Sequence, residues 1–242
     1  MNRRDLGRRL LAEWLGGALL AAVVIGSGIA AQRLSPGQTG LELFENAAAT
    51  AAGLYALIAM LGPVSGAHFN PVVSFVDAAY GGTRWSTAAL YLPAQVAGCI
   101  CGAVLANLMF SLSAVSISTH DRASGAHFLS ETVATAGLIL VIFCLLRTRR
   151  QAVIPAAVGA YIGAAYFFTS STSFANPAIT VGRMFSNTFA GIAPSSAPSF
   201  IAAQVLGGVV AFALIRVLYP KPAGEPTDQN EPMAAQTAEK VV

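Results

Sequence analysis

Apolar residues in this chain gather into six long runs, at about residues 10–31, 43–62, 85–110, 128–146, 152–169 and 199–219. A helix that crosses a bilayer needs roughly 20 mostly apolar residues, and each run is of that order. Two shorter segments, about 70–79 and 176–185, open with Asn-Pro and are too short to cross. The pattern predicts an all-α membrane protein with six transmembrane helices and two re-entrant half-helices. Beyond residue 219 the apolar pattern stops. Residues 220–242 are rich in Pro, Glu, Gln and Ala and read as a disordered cytoplasmic tail.

The basic start, MNRRDLGRRLLAEW, has the look of a signal peptide, but the apolar run continues to about Ala31 and no convincing cleavage site follows. It reads as a retained first helix preceded by a short cytoplasmic segment, residues 1–9. Six spans place both termini on one side. Arg3, Arg4, Arg8, Arg9, Arg84, Arg147, Arg149, Arg150, Arg216, Lys221 and Lys240 then share that side, against Arg33, Arg122 and Arg183 on the other. Basic residues accumulate on the cytoplasmic side of membrane proteins, so both termini are expected there.

Composition agrees with this reading. The chain is 55% hydrophobic and 10% charged, with a mean hydropathy of +0.63; soluble domains carry roughly 25% charged residues. A net charge of +3 is too small to suggest nucleic-acid binding. Cys99, Cys101 and Cys144 form neither a zinc pattern nor a disulfide framework, and no cofactor is expected.

The two halves echo each other. LAEWLGG with Glu13, SGAHFNPVVSF with Asn70 and LPAQVAGCICGA with Gln95 recur as LSETVATAGL with Glu131, TSFANPAITVG with Asn176 and IAAQVLGGVVA with Gln204. The offsets are 118, 106 and 109 residues. Each half has an odd number of spans, so the halves enter the membrane in opposite senses, as an inverted repeat. One domain over residues 10–219 follows, with repeats at 10–110 and 128–219.

Irregular backbone survives at membrane depth only where it is buried in protein or lines a wet cavity. Asn is a good N-cap and Pro is favoured at the first helical position. Asn70-Pro71 and Asn176-Pro177 therefore read as two helix starts that meet near the midplane from opposite sides. Their positive ends would oppose a cation, while the Asn amides could still donate to a neutral oxygen. Glu13 and Glu131 lie within spans, where a carboxylate faces the bundle interior and finds partners. The expectation is that each accepts hydrogen bonds from a re-entrant loop; a proton relay is the competing role.

With these motifs in place the chain resembles the major intrinsic protein family, the aquaporins and aquaglyceroporins, over about residues 8–219. The resemblance rests on AEWLGG, SGAHFNPVVSF, AQVAGCICGA and STSFANPAI. It implies a pore in each subunit, a homotetramer and the motif residues Asn70, Pro71, Val72 and Asn176, Pro177, Ala178, with Val72 departing from the usual alanine. It also implies that an arginine usually follows the second motif. Here that position is Ile179. The other constriction positions fall at Thr50 and Ser173, and on the fifth span at Ala164 by an ungapped count or Tyr166 by matching an upstream glycine.

An isoleucine removes a charge and fixed donors and offers apolar surface instead. The filter is expected to be wider, less polar and more favourable to partly apolar solutes, with proton exclusion resting on the half-helix ends. Arg183, one turn after Ile179, is a candidate for the outer vestibule or for a brace on an outer-loop carbonyl. His68 stands on the cytoplasmic approach, either titrating there or hydrogen-bonded as a structural residue. STSFANPA followed by an aliphatic residue, then FSNTFAGIAP, is similar to a bacterial branch often linked to arsenic-resistance operons. That resemblance implies passage of metalloid acids such as arsenous acid or methylated arsenicals, and/or glycerol and water, across a bacterial inner membrane. An ordinary water channel, an inverted-repeat secondary transporter and a non-conducting member are the other readings. No nucleophile–base or metal constellation suggests an enzyme.

Overall fold

The computed structural model describes residues 3–220. The expected tail, with Lys221 and Lys240, otherwise lies outside the described residues. Six helices are long and apolar enough to cross a membrane. They are α1 (Arg3–Leu34), α2 (Thr39–Ser65), α4 (Trp85–Met109), α5 (Gly125–Arg147), α6 (Ile154–Phe168, which spans together with the 3₁₀ turn before it, Gln151–Phe168) and α8 (Ala197–Leu218). Two short helices, α3 (Pro71–Ala79) and α7 (Pro177–Arg183), complete the fold, and a turn of 3₁₀ helix precedes α6.

The ends differ from the apolar runs where the chain has no breaker. The helix α1 already begins at Arg3, with Asp5 in its first turn, so residues expected as a flanking segment are helical. An acidic residue there suits the positive end of the helix. The start of α1, the ends of α3 and α5 and the end of α8 share one face, here called the terminal face; the end of α7 and the loop before α5 lie at the distal face.

Helices α1 and α4 cross closely, and so do α5 and α8. Glycine makes both crossings possible. A Cβ on Gly98 or Gly102 would lie 2.2 Å or 2.0 Å from the Trp14 or Ala18 carbonyl oxygen. In the second half a Cβ on Gly207 would lie 2.4 Å from the Thr132 carbonyl. Small residues of this kind let backbones approach inside a bilayer, where lipid supplies no hydrophobic drive between helices.

Candidate functional site

The short helices start as their sequences dictate. Asn70 is extended and its side-chain oxygen accepts from the Val72 amide at 3.0 Å. Asn176 is also extended and accepts from Ala178 at 2.9 Å and Ile179 at 3.3 Å. Each asparagine then reaches across the molecule. Asn70 Nδ2 donates to the Ala175 carbonyl at 2.7 Å, and Asn176 Nδ2 donates to the Phe69 carbonyl at 2.8 Å. A primary amide has two N–H donors, so each asparagine keeps one that no protein acceptor takes. Both asparagines line one cavity.

The loops that enter these helices are unusual. Ala67, Phe69, Ser173 and Ala175 have φ of 50°, 49°, 51° and 47°, in the left-handed region. Such residues cost of order 1–3 kcal/mol each and persist only where the surroundings over-determine them. Two buried carboxylates do so. Glu13 accepts from Ser65 Oγ at 2.6 Å, His68 N at 3.0 Å, Phe69 N at 2.7 Å and Gln95 Nε2 at 2.7 Å. Glu131 accepts from Ser171 Oγ at 2.6 Å, Phe174 N at 2.9 Å, Ala175 N at 2.8 Å and Gln204 Nε2 at 2.7 Å. Each glutamine continues to the adjoining half-helix, Gln95 to Ser74 Oγ at 3.0 Å and Gln204 to Thr180 Oγ1 at 2.9 Å.

Ser65, Ser74, Ser171 and Thr180 were not singled out from the sequence. Ser65/Ser171 and Ser74/Thr180 stand at the same 106-residue offset as the two asparagines, so the repeat itself carried their signal. The same offset relates His68 to Phe174 and Asp77 to Arg183. His68 bonds Ser74 Oγ at 3.1 Å, and its Nε2 lies 3.8 Å from Asp77 Oδ2. It borders both the central cavity and a second one of about 350 Å³, which Arg9 and Asp77 also line at the terminal face. In the other half the Arg183 guanidinium sits 3.3 Å over the Phe174 ring.

Thr50, Tyr166, Ser173 and Ile179 converge on the central cavity, about 70 Å³ in volume. On this measure a cavity needs about 10–15 Å³ to hold one water. Tyr166 Oη and Thr50 Oγ1 are 3.2 Å apart and close one side. Ser173 Oγ is buried and has no protein partner. Ile179 adds an apolar side chain to the same lining. Arg183 borders the same cavity, only 2% exposed, with Nε donating to the Ala190 carbonyl.

Ala164 is exposed on the outside of α6, and Tyr166 faces inward; the ungapped count lands two residues short, on another face of the helix. The cavity is therefore bordered by the Tyr166 side chain from α6 and by the apolar Ile179 from α7. Val72 keeps the helix start yet does not face the cavity. It packs against α8, where a Cβ on Gly208 would lie 2.5 Å from its Cγ1, and Val73 lines the cavity instead. Pro71, Pro177 and Ala178 are buried but also stand outside the cavity lining. Among the described residues no cluster of His, Cys, Asp or Glu is suited to a metal ion.

The geometry is a small cavity bordered by the N-cap asparagines of both half-helices, a few free N–H and O–H groups, and apolar side chains. Comparison with known proteins gives the same picture. The major intrinsic protein family model matches residues 1–175 and 157–242. The aquaglyceroporin AqpS of Rhizobium meliloti (strain 1021) is 48% identical over 235 residues, 97% of this chain and 100% of that protein. The glycerol uptake facilitator protein of Pseudomonas aeruginosa is 33% identical over 159 residues, 56% of each chain. The X-ray structure of the aquaglyceroporin from Plasmodium falciparum superposes with a TM-score of 0.70 at 18% identity, covering 87% of this chain and 95% of that one, a likeness of fold.

Proposed function

Because the chain belongs to the major intrinsic protein family, we propose that it is a passive channel for small uncharged solutes with an arginine-free filter at Thr50, Tyr166, Ser173 and Ile179. An aquaglyceroporin-type channel for small solutes follows from the family and its relatives. The finer assignment is metalloid acids such as arsenous acid or methylated arsenicals, with glycerol and water as further solutes. One observation carries it: Ile179 adds an apolar side chain to a cavity that also holds the unpartnered Ser173 hydroxyl. Water gains little from such a surface. A solute with a methyl group gains about 25 cal/mol for each Å² it removes from water, and its hydroxyls still find Ser173 and the free asparagine N–H groups.

The facing N-termini of α3 and α7 repel cations without help from a filter arginine. Glu13 and Glu131 hold the loops, so neither is left to relay protons. Arg183 presents a guanidinium on the distal side of Ile179, where it favours solutes with oxygen acceptors or partial negative charge. In this reading residues 10–219 form the channel domain, the chain assembles as a homotetramer in a bacterial inner membrane, and both termini are cytoplasmic.

The Thr50–Tyr166 contact and the small cavity favour a second reading, an ordinary water channel. Stopped-flow measurements on proteoliposomes separate the two, using water, glycerol, arsenous acid and a methylated arsenical. Wild type should pass the larger solutes, and Ile179→Arg should restrict them while sparing water. Identical solute profiles would remove Ile179 from the filter, and flux of water alone in wild type would leave the second reading.

A further inference from the structure

Away from the pore, the terminal face carries a second built feature. The C-cap of α3, the last turn of α5 and the end of α8 enclose a cavity of about 450 Å³, lined by Tyr80, Arg147, Phe212, Arg216 and Tyr219 among others. Its aromatic floor is fixed. Tyr80 and Phe212 have ring centroids 4.7 Å apart, and the Tyr80 hydroxyl donates to the Phe212 carbonyl at 2.8 Å. Each ring supports a cation. Arg147 Cζ lies 4.8 Å from the Tyr80 centroid, and Arg216 Cζ lies 5.8 Å from that of Phe212.

These guanidiniums are held by ring faces and not by acids. Among the described residues the sole charge pair within 4.0 Å is His68 with Asp77, which leaves both arginines without a carboxylate. A guanidinium placed over a ring face leaves its edge donors available. Two such forks on one cavity match the oxygens of a phosphate group, which accepts bidentate hydrogen bonds.

We propose that this cavity binds a phosphate-type anion, either the phosphodiester of an anionic lipid headgroup or free inorganic phosphate. Basic pockets between helices at the membrane surface recognise headgroups in this way. The cavity shares no lining residue with the pore, so the proposal stands or falls apart from the solute assignment.

The test uses delipidated full-length protein. Phosphatidylglycerol in nanodiscs and inorganic phosphate in solution are titrated separately, with native mass spectrometry and thermal unfolding as readouts. Wild type should bind one of the two, and whichever it binds identifies the source. R147Q/R216Q should bind it about tenfold more weakly or worse. R149Q/R150Q, which removes the same charge from the adjoining loop, should bind as wild type does. R147K/R216K keeps the charge without the planar fork and should fall in between; it also serves if the glutamine variant fails to fold. Equal affinity in wild type and R147Q/R216Q, or an equal loss in R149Q/R150Q, would overturn the proposal and leave these arginines as interfacial charges.

Discussion

At the scale of single residues, Arg183 is anchored in the core while it borders the central cavity. Its guanidinium lies on Phe174, its Nε–H is taken by the Ala190 carbonyl, and it borders the central cavity. A desolvated cation–π contact is worth about 2 kcal/mol, and a hydrogen bond from a charged donor about 1.5–3 kcal/mol. Arg183→Gln should therefore lose roughly 3–5 kcal/mol of stability, read as a lower unfolding midpoint in detergent. It should also lower the flux of partly ionised acids relative to neutral solutes. Arg183→Lys should keep that charge preference but not the midpoint, because an ammonium cannot stack as a planar fork. A Lys variant as stable as wild type would refute the stacking argument. The sequence placed Arg183 one turn from Ile179, but it said nothing of Phe174, because a ring under a guanidinium leaves no mark in spacing. Ala164 and Tyr166 were indistinguishable for a related reason. Counting depends on the length of the intervening loop; in the structure the Tyr166 hydroxyl lies 3.2 Å from Thr50 Oγ1, whereas Ala164 is exposed.

Among the elements, the half-helices were legible because an N-cap asparagine followed by proline is a local signal. Their loops were not. Ala67, Phe69, Ser173 and Ala175 adopt left-handed backbone without being glycine or asparagine, and distant carboxylates hold them there. The packing of α3 was equally hidden. In the first half α3 brings Val72 against Gly208 of α8; in the second, α7 offers Gly182, where a Cβ would lie 2.8 Å from Cys99 of α4. Bulk and glycine are exchanged between the two contacts, so each pair fits only its own partner. Gly208→Ala should destabilise by about 1–3 kcal/mol, the usual cost of an extra methyl in a packed core. Val72→Ala should rescue it in the double variant. Thermal unfolding of the four proteins of this cycle measures the coupling, and additive effects would count against the contact.

On the scale of the whole molecule, the six spans and the repeat were readable from apolar length and from three ordered motifs. The boundaries were less so, since helices such as α1 run past the apolar run into basic residues that no breaker interrupts. The distribution of arginines argues that the terminal face is cytoplasmic. In a background free of native cysteines, Gln38→Cys should react with a membrane-impermeant maleimide in intact cells. Arg150→Cys should react only after lysis. The reverse pattern would invert the orientation.

The reciprocal bonds from Asn70 to the Ala175 carbonyl and from Asn176 to the Phe69 carbonyl also bear on biogenesis. Neither re-entrant loop is complete within its own half; each finishes on an acceptor made by the other. Translation adds roughly 5–20 residues each second, so over the intervening 106 residues the first loop waits on the order of 5–20 seconds for its clasp. Until then the nascent first half carries an unsatisfied asparagine and an open carbonyl at membrane depth. The two halves are therefore mutually dependent at these two loops, and a chain arrested after the first would lack both bonds.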